Sequence, residues 1–345
     1  MGATALVLAA GEGTRMKSAL PKVAHRILGV PMIGHVLDAV RGAGCDLAIV
    51  VTGHRAEVVE SLVEGVTFAR QERQLGTGHA VMCAEDAIAG AEGSVLVVAG
   101  DCPLLTASTL SALITAREET AAACSVLTTR IGDPAGYGRI IRDADGSIAG
   151  IVEDKDLAED QRAIDEVNTS TYCFDIRTLF AHLHRLENGN AQGEYYLTDM
   201  VALLRSEGLG VVGVEAADPS ETLGVNSRVQ LAEAASVLQR RINERHMLAG
   251  VTMTDPALVW VGPDVTIGRD TVVEPMSVML GATAIGEGCT IGPNARITDS
   301  SVGRGCVVTE AVVCDAILPD GAAAGPYEHV HSGTDRPRSD HHAAG

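Results

Sequence analysis

Short apolar runs alternate with amphipathic stretches from residue 1 to about 225. Three runs are short and apolar enough to be buried strands, at residues 5–9, 47–51 and 94–99. Residues 30–40 and 80–89 have the spacing of helices. This alternation predicts a doubly wound, Rossmann-like α/β domain, and in such sheets ligands bind beyond the carboxyl ends of the strands.

The clearest helical pattern follows directly, at residues 226–247. Asn226 or Ser227 can cap its N-terminus. Six small or apolar residues fall on one helical face: Val229, Leu231, Ala234, Ala235, Leu238 and Ile242. We predict a linker helix within residues 226–250, between the α/β domain of residues 1–225 and a second domain.

A six-residue period replaces both earlier patterns after the linker. Aliphatic residues recur without a break at Val261, Ile267, Val273, Met279, Ile285, Ile291 and Ile297. Neither a helix nor a flat strand produces this period, whereas a left-handed parallel β-helix points one such side chain inward from each flat face. Gly268, Gly281, Gly286 and Gly292 suit its corners. The phase slips after Ile297, with Val302 and Val308 six apart.

The β-helix is predicted to span residues 251–326 and to end near Gly325-Pro326. Residues 327–345 are polar and irregular, and we expect them to be disordered. The histidine pairs of this tail, His329 with His331 and His341 with His342, are expected to be solvated.

Charge and composition narrow the range of partners. The chain has 45 acidic and 26 basic residues, a formal net charge of -19. Such a field would repel nucleic acid and anionic membranes, so neither is expected as a partner. A phosphate-bearing substrate therefore needs a local cluster of cations and backbone amides.

Cysteine usage and the N-terminus point to the cytoplasm. The eight cysteines include no CxxC pair, and a chain of 345 residues can build a core without disulfides, so free thiols are expected. The first residues, MGATALVLAAGEGTRM, carry no basic leader and run directly into a glycine-rich turn. We predict neither a signal peptide nor a membrane segment.

The most informative motif is the glycine-rich turn after the first strand, LAAGEGTRM, with Pro21-Lys22 shortly after it. A glycine-rich turn between a strand and a helix lets backbone N–H groups approach phosphate oxygens closely. Arg15 and Lys22 would add the positive charge that a triphosphate requires. A glycine-rich turn alone is weak evidence, but these two cations favour a phosphate site.

Two further segments carry candidate chemistry. QERQLGTGHA, residues 71–80, offers the Gln71 amide to a base edge, while Gly76 and Gly78 allow close backbone approach. In GDCPLL, residues 100–105, Asp101 follows a strand end, where a carboxylate commonly holds Mg²⁺ and otherwise serves as a structural cap.

Taken together, the motifs amount to a resemblance. Besides those above, the chain contains GYGR at 136–139, GIVE at 150–153, EVNT at 166–169, GEYYLTD at 193–199 and GVN at 224–226, in the order found in one family. The chain resembles the bifunctional UDP-N-acetylglucosamine pyrophosphorylase/glucosamine-1-phosphate N-acetyltransferase family. The resemblance covers residues 4 to about 326.

The resemblance implies a role for each matching residue. The nucleotide would be bound by Leu8, Ala9, Ala10, Gly11, Gly13, Gln71, Gly76, Thr77 and Gly100. The sugar would be bound by Gly138, Glu153, Asn168, Tyr196 and Thr198. Asp101 and Asn226 would hold Mg²⁺, the implied cofactor, and Arg15, Lys22 and Asp101 would act in catalysis.

The implied reaction joins the uridylyl group of UTP to N-acetylglucosamine-1-phosphate and releases pyrophosphate, with no protein nucleophile. Ala99 and Ser170 depart from the family, which carries tyrosine or serine in some relatives at the first position and often glycine at the second. A side chain at Ser170 could change which hexose fits. A specialised enzyme with another sugar or nucleotide, and a non-catalytic nucleotide-sugar sensor, are the alternatives.

The resemblance also bears on the second activity and on assembly. Residues 325–331 match the family's GPF-x-x-LRPG segment only in part, and its arginine is absent. Residues 1–345 contain no later coils to supply the acetyltransferase site, so acetyl transfer is expected to be absent. Because β-helices of this family pack as trimers, we expect a homotrimer.

Overall fold

The structure is a computed structural model that describes residues 2–332. The chain divides into two compact units. The first comprises Met1–His25 and Pro31–Leu231, and the second comprises Arg26–Val30 and Ala232–Gly345. None of the helices within residues 2–332 combines the length and the apolar character needed to cross a membrane.

The first unit contains most of the helices and a nine-stranded sheet. The strands up to residue 215 are β1 (Ala3–Leu8), β2 (Arg26–Ile27), β3 (Val30–Pro31), β4 (Cys45–Thr52), β5 (Thr67–Arg70), β6 (Ser94–Ala99), β7 (Cys124–Arg130), β8 (Arg139–Arg142), β9 (Ile148–Val152), β10 (Glu166–Asp175) and β11 (Val211–Glu215). The helices are α1 (Met32–Gly42), α2 (Ala56–Glu60), α3 (Thr77–Met82), α4 (Glu85–Ile88), α5 (Ala107–Thr120), α6 (Ile176–Leu183) and α7 (Asp199–Ser206). β2, which belongs to the second unit, forms a separate two-stranded sheet with β3.

The large sheet has the order β11-β7-β10-β6-β1-β4-β5, with β8 paired to β10 and β9 paired to β8. β6, β1, β4 and β5 are mutually parallel, and β10 is antiparallel to both of its long neighbours. The predicted doubly wound α/β fold is thereby confirmed. Its parallel strands end side by side, with Leu8 opposite both Val51 and Ala99.

Both faces of the parallel strands are buried. Along β1, Leu6 packs into one apolar cluster, while Ala5 and Val7 pack into another on the opposite face. Successive side chains of a strand point to opposite faces, so a strand covered on both sides reads as a continuous apolar run. This explains why the strand positions could be predicted from short apolar runs.

Two predicted helices differ from the structure at their ends. The helix expected at residues 30–40 begins at Met32, because Val30 and Pro31 form β3 and Pro31 is the N-cap. The helix expected over residues 80–89 is two shorter ones, Thr77–Met82 and Glu85–Ile88. Cys83 and Ala84 join them as a turn.

The second unit is a parallel β-helix. Its strands are β12 (Thr252–Met253), β13 (Val259–Val261), β14 (Thr266–Ile267), β15 (Val272–Val273), β16 (Ser277–Leu280), β17 (Ala284–Ile285), β18 (Thr290–Ile291), β19 (Arg296–Thr298), β20 (Ser301–Val302), β21 (Val307–Val308), β22 (Val312–Cys314), β23 (Ile317–Leu318), β24 (Ala323–Ala324) and β25 (His329–His331). They form three parallel sheets, the faces of a prism. The aliphatic residues of the six-residue period are all buried, which confirms the predicted left-handed β-helix.

The coils shorten along the chain, which explains the slip in the period. Early pairs such as Val259 with Ser277 are farther apart in sequence than late pairs such as Ser301 with Ile317. Corner glycines permit close stacking: a Cβ atom at Gly268 would lie 2.6 Å from a backbone nitrogen of the next coil.

The disorder expected from residue 327 is wrong for residues 327–332. His329–His331 form β25, which pairs with β22 and buries Val330 to 1% exposure. The polar composition did not predict this strand, because Val330 is the single residue of β25 that is buried in the core. His341 and His342 lie outside the described residues.

A long helix, α8 (Arg228–Leu248), occupies the predicted linker segment. Gln239 and Asn243 donate amide hydrogens to the carbonyl oxygen of Val259 at 2.7 and 2.8 Å, and Ile242 joins the β-helix core. The predicted apolar face is only partly buried, since Val229 is 68% exposed in the first turn. Hydrogen bonds from these buried amides therefore attach α8 to the first strands of the β-helix in addition to its apolar contacts.

The packing of the β-helix generates a stability prediction. Ile291 is fully buried between coils. We expect Ile291→Ala to lower the free energy of unfolding of the second unit by about 2–5 kcal/mol, because it removes buried carbon and leaves a cavity. Urea unfolding followed by the fluorescence of Trp260, the single tryptophan of the chain, reports on this unit.

Leu248→Ala is the matched control, because Leu248 is 84% exposed in the same unit. Its effect should stay within about 0.5 kcal/mol. Equal effects of the two substitutions would contradict the assigned core.

Candidate functional site

Two cavities lie at the carboxyl ends of the parallel strands, within the first unit. The larger has a volume of about 430 Å³ and the smaller about 150 Å³. They share five lining residues: Ala99, Asp101, Glu153, Ser170 and Asn226. The position is the one that the fold predicts, because only the strand ends of a sheet covered on both faces are open to a ligand.

The glycine-rich turn after β1 forms one wall of the larger cavity. Its start is fixed by the Ala9 N–H, which donates to the Val51 carbonyl at 2.9 Å. At Gly13 the φ angle is +64°, and a Cβ atom would lie 2.6 Å from Cβ of Lys22. Gly13 therefore lets the loop pass directly over Lys22.

A charged cluster lies where the two cavities meet. The Lys22 ammonium forms an ion pair with Asp101 and donates a hydrogen bond of 2.8 Å to Asn226 Oδ1. The side chains of Lys22 and Asp101 are 16% and 15% exposed. The Val225 N–H donates to the Asp101 carbonyl at 2.9 Å, which fixes Asn226 beside Asp101.

The Lys22 contacts also test whether this place suits a metal ion. One ammonium group bonds to both Asp101 and Asn226, so their side-chain oxygens converge on a cation. Hard oxygen ligands of this kind suit Mg²⁺, which usually keeps several waters and takes substrate phosphates as further ligands. The pair fits such an ion, although residues 2–332 contain no metal-binding group of three or more His, Cys, Asp or Glu.

Gln71 is buried at the edge of the larger cavity, and its amide is oriented by two partners. Its Nε2 donates to the Gly76 carbonyl at 3.0 Å and to His79 Nδ1 at 2.9 Å. Burial, and then the charge of Arg73, lower the pKa of His79, which favours the neutral ring that can accept this hydrogen. Both amide hydrogens are thus used, which leaves the amide oxygen to accept from a ligand.

Backbone hydrogen bonds fasten the Gly76 segment to the chain around Tyr195. The Tyr195 N–H donates to Leu75, and the Gly78 N–H donates to Tyr195, both at 2.8 Å. At Gly76 the φ angle is +103°, and a Cβ atom would lie 2.6 Å from the Tyr195 carbonyl oxygen. Neighbouring Glu194 adds a carboxylate to the cavity wall.

The polar residues of the sugar motifs form a second cluster. The Thr198 hydroxyl donates to Glu153 Oε1 at 3.1 Å. Burial raises the pKa of Glu153, despite this hydrogen bond, and nearby carboxylates raise it further. The Asn168 amide donates to the Tyr172 hydroxyl at 2.8 Å.

The structure brings most of the predicted site residues together. Those that line one or both cavities are Leu8, Ala9, Ala10, Gly11, Lys22, Gln71, Gly76, Thr77, Asp101, Gly138, Glu153, Asn168, Thr198 and Asn226. Gly13 and Gly100 do not line either cavity, but they lie against the lining residues Lys22 and Leu8, respectively. Arg15 is exposed on a short turn outside the lining. Tyr196 is also outside it, buried to 6% exposure with its hydroxyl bonded to Gln192.

Sequence reasoning missed several wall residues of the larger cavity: Val23, Gln74, Ala80, Tyr172, Glu194 and Leu197. Gln74 and Glu194 belong to motifs noted in the sequence, but the sequence does not show that these residues line the cavity. Tyr172 carried no signal, because an aromatic residue in an apolar strand is typical of a core.

Comparison with known proteins adds two domain matches. Residues 5–166 match the MobA-like NTP transferase domain. Residues 264–299 match the bacterial transferase hexapeptide, a model of six repeats. The first match contains the glycine-rich turn and Asp101, and the second contains the six-residue period from Ile267 to Ile297.

Whole-chain relatives are similar over nearly all of the sequence. The bifunctional protein GlmU of Halalkalibacterium halodurans is 48% identical over 327 residues, which cover 94% of this chain and 72% of the relative. The GlmU protein of Heliobacterium modesticaldum is 49% identical over 332 residues, with 96% and 72% covered. The chain therefore matches about three quarters of the length of these relatives.

The close contact at Gly76 generates a prediction. Gly76→Ala should weaken binding of a nucleoside triphosphate tenfold or more, because the new Cβ atom displaces the wall of the larger cavity. Gly90→Ala is the matched control, since Gly90 also has a positive φ, of +84°, but no atom lies within 4 Å of its Cβ position.

Both variants should lose stability, through a strained backbone that costs on the order of 1–3 kcal/mol. Titration calorimetry with UTP and thermal unfolding separate the two effects. An unchanged affinity for UTP in Gly76→Ala would contradict the predicted role of Gly76 in nucleotide binding.

The pKa shifts predict opposite pH effects for two carboxylates. The pKa of Glu153 is raised in the fold, so its ionisation destabilises the protein as the pH rises through that pKa. Glu153→Gln should therefore be more stable than the native protein at pH 8, and the difference should vanish below about pH 4, near the ordinary carboxyl pKa.

Glu166 provides the comparison, because its hydrogen bonds with Arg142 lower its pKa. Glu166→Gln should be less stable than native at pH 8, and the difference should shrink as the pH falls through the lowered pKa. Thermal unfolding between pH 3 and 8 measures both differences in stability from the native protein. A difference of the same sign for the two variants at pH 8 would refute the assigned environments of the two carboxylates.

Proposed function

Because this chain belongs to the GlmU family and is a nucleotidyltransferase, we propose that it transfers the uridylyl group of UTP to a sugar-1-phosphate. We propose N-acetylglucosamine-1-phosphate as the acceptor. The observation that carries the proposal is the cluster of Lys22, Asp101 and Asn226 at the junction of the two cavities. It provides a cation and two oxygen ligands where a triphosphate and an acceptor would meet.

Recognition of uracil is supported by the orientation of Gln71. Its amide hydrogens are used by Gly76 and His79, so the amide oxygen is left to accept a hydrogen bond from a base. Uracil presents an N3–H donor, whereas cytosine presents an acceptor at the same position. A cytosine there would face the Gln71 oxygen acceptor to acceptor, which favours UTP over CTP.

The triphosphate would lie along the glycine-rich turn, beside Leu8 and residues 9–11. Backbone N–H groups and the Lys22 ammonium can neutralise phosphate charge locally, as a chain of formal charge -19 requires. Arg15 follows on the same turn and, although it lies outside the lining, remains the second proposed phosphate ligand.

The sugar would enter the smaller cavity, at Gly138, Glu153 and Asn168. At Gly138 a Cβ atom would lie 3.5 Å from Glu153 Oε2, so glycine keeps the space beside this carboxylate open. Thr198 holds Glu153 in place through its hydroxyl. Tyr196 would act only from behind the wall, through its neighbours.

The reaction needs no nucleophile from the protein. An oxygen of the sugar-1-phosphate forms a bond to the α-phosphorus of UTP, the bond from that phosphorus to the bridging oxygen of the β-phosphate breaks, and pyrophosphate leaves with the electron pair. Catalysis then consists of positioning and charge neutralisation. Lys22 stabilises the negative charge that builds on the phosphate oxygens.

Asp101 and Asn226 would hold the metal ion, which we propose to be Mg²⁺ on the grounds of their oxygen donors. When bound, such an ion neutralises phosphate charge and orients the oxygens. Where the ion would replace Lys22 as the partner of these oxygens, the Lys22 ammonium would be free to bind phosphate.

The eight cysteines are all unpaired, which supports a cytoplasmic location. Light scattering tests the proposed homotrimer through the β-helix. Incubation with acetyl-CoA and glucosamine-1-phosphate tests the proposed absence of acetyl transfer from residues 1–345.

An acceptor other than N-acetylglucosamine-1-phosphate is the second candidate, and the side chain of Ser170 between the cavities favours testing it.

The first test is pyrophosphate release from UTP, Mg²⁺ and N-acetylglucosamine-1-phosphate. Asp101→Ala should lower kcat/KM by about a hundredfold or more, roughly 2.7 kcal/mol of transition-state stabilisation, because the metal loses its charged ligand. Asp160→Ala, on an exposed turn, should keep native activity.

Native folding of the variants is checked by thermal unfolding. Undiminished release by Asp101→Ala would remove Asp101 from the mechanism. No release by the native protein with any of a panel of sugar-1-phosphates, together with tight UTP binding, would instead support a nucleotide-sugar sensor.

A further inference from the structure

β10 contains a bulge beside the site. Its first residues pair with β7 up to Asn168, opposite Thr128, and pairing resumes at Tyr172, opposite Val126. Residues 169–171 thus face a single residue of β7. Bulges next to binding sites commonly redirect a side chain out of the regular alternation of a strand.

The residue at the tip of this bulge is Ser170, whose φ angle is +57°. This left-handed conformation favours glycine, and a serine adopts it at a cost. Two hydrogen bonds enforce it: the Ser170 N–H donates to Asn168 Oδ1 at 3.2 Å, and the Thr169 hydroxyl donates to the Leu127 carbonyl at 2.8 Å. The surrounding strand therefore dictates where the serine lies.

Ser170 is exposed and lines both cavities. Within residues 2–332, no protein group is hydrogen-bonded to its hydroxyl, whereas the neighbouring polar groups are already engaged. Asn168 bonds to Tyr172 and to the Ser170 N–H, and Glu153 bonds to Thr198. The Ser170 hydroxyl is thus an uncommitted donor and acceptor at the junction of the two cavities.

We propose that the Ser170 hydroxyl hydrogen-bonds the sugar-1-phosphate acceptor and so helps to determine which sugar the enzyme accepts. The inference rests on the proposed function and extends it. A pyranose carries hydroxyl groups that can both donate to and accept from a serine. A glycine at this position would relieve the backbone but leave that sugar group without its protein partner.

Two substitutions test the hydroxyl separately from the backbone. Ser170→Ala keeps the strained conformation and removes only the oxygen, and Ser170→Gly removes the strain as well. Both should raise KM for N-acetylglucosamine-1-phosphate about fivefold to tenfold, the loss expected for one neutral hydrogen bond. KM for UTP should change less than twofold, and the ratio of kcat/KM for this acceptor over glucose-1-phosphate should change in both variants.

Ala121→Gly is the matched control for strain. Ala121 ends α5 with a φ angle of +50° and lies outside both cavities. Ser170→Gly and Ala121→Gly should each raise the Tm by about 2–4 °C. Ala121→Gly should leave both KM values unchanged.

The proposal is overturned if Ser170→Ala keeps the native KM for the acceptor, whatever Ser170→Gly does. It is equally overturned if KM for UTP rises as much as KM for the acceptor. Calorimetric titration of N-acetylglucosamine-1-phosphate into native protein and Ser170→Ala in the presence of UDP decides the question without turnover. An inactive native protein would then count against the proposed function, while a binding difference would still support the role of Ser170.

Discussion

Two-sided burial of the parallel strands is the constraint on which the site depends. Side chains of β1, β4 and β6 alternate between two apolar clusters, so neither face of the sheet is available to a ligand. The carboxyl ends remain, and β6, β1 and β4 end beside each other. The glycine-rich turn and Asp101 follow two of these ends directly, which is why residues far apart in sequence form one cavity.

The acidity of the chain makes the local charge arrangement decisive. With a formal net charge of -19, the surface as a whole disfavours phosphate. Lys22 is held in a half-buried place by Asp101 and Asn226, where its charge is less screened than on the surface. The same contacts orient two oxygens for a cation. One cluster therefore provides both signs of charge that nucleotidyl transfer requires.

The sequence predicted those features of the fold for which a pattern of residue types has a single physical explanation. Buried strands and the six-residue period were predictable in this sense. The role of Asn226 followed only from the resemblance, and the contacts of Lys22 with Asp101 and Asn226 were not predicted. The direction of individual side chains was harder to predict. Arg15 and Tyr196 belong to motifs of the site, but neither lines a cavity. Arg15 is exposed on its short turn, and the Tyr196 hydroxyl accepts a hydrogen bond from Gln192. Tyr172 and the strand at His329–His331 were missed because composition alone cannot distinguish their roles.

The shortening coils of the β-helix have a consequence for how such a chain can change in length. Late coils lose residues while the ladders on the flat faces remain paired, as Val307 with Ala323 shows. Length variation is therefore absorbed between the paired strand residues, at the corners. The hexapeptide match ends at residue 299, close to where the shorter coils begin. The strict six-residue period thus ends at a boundary that the fold itself does not have, and the corners are the natural points for inserting a peptide into this prism.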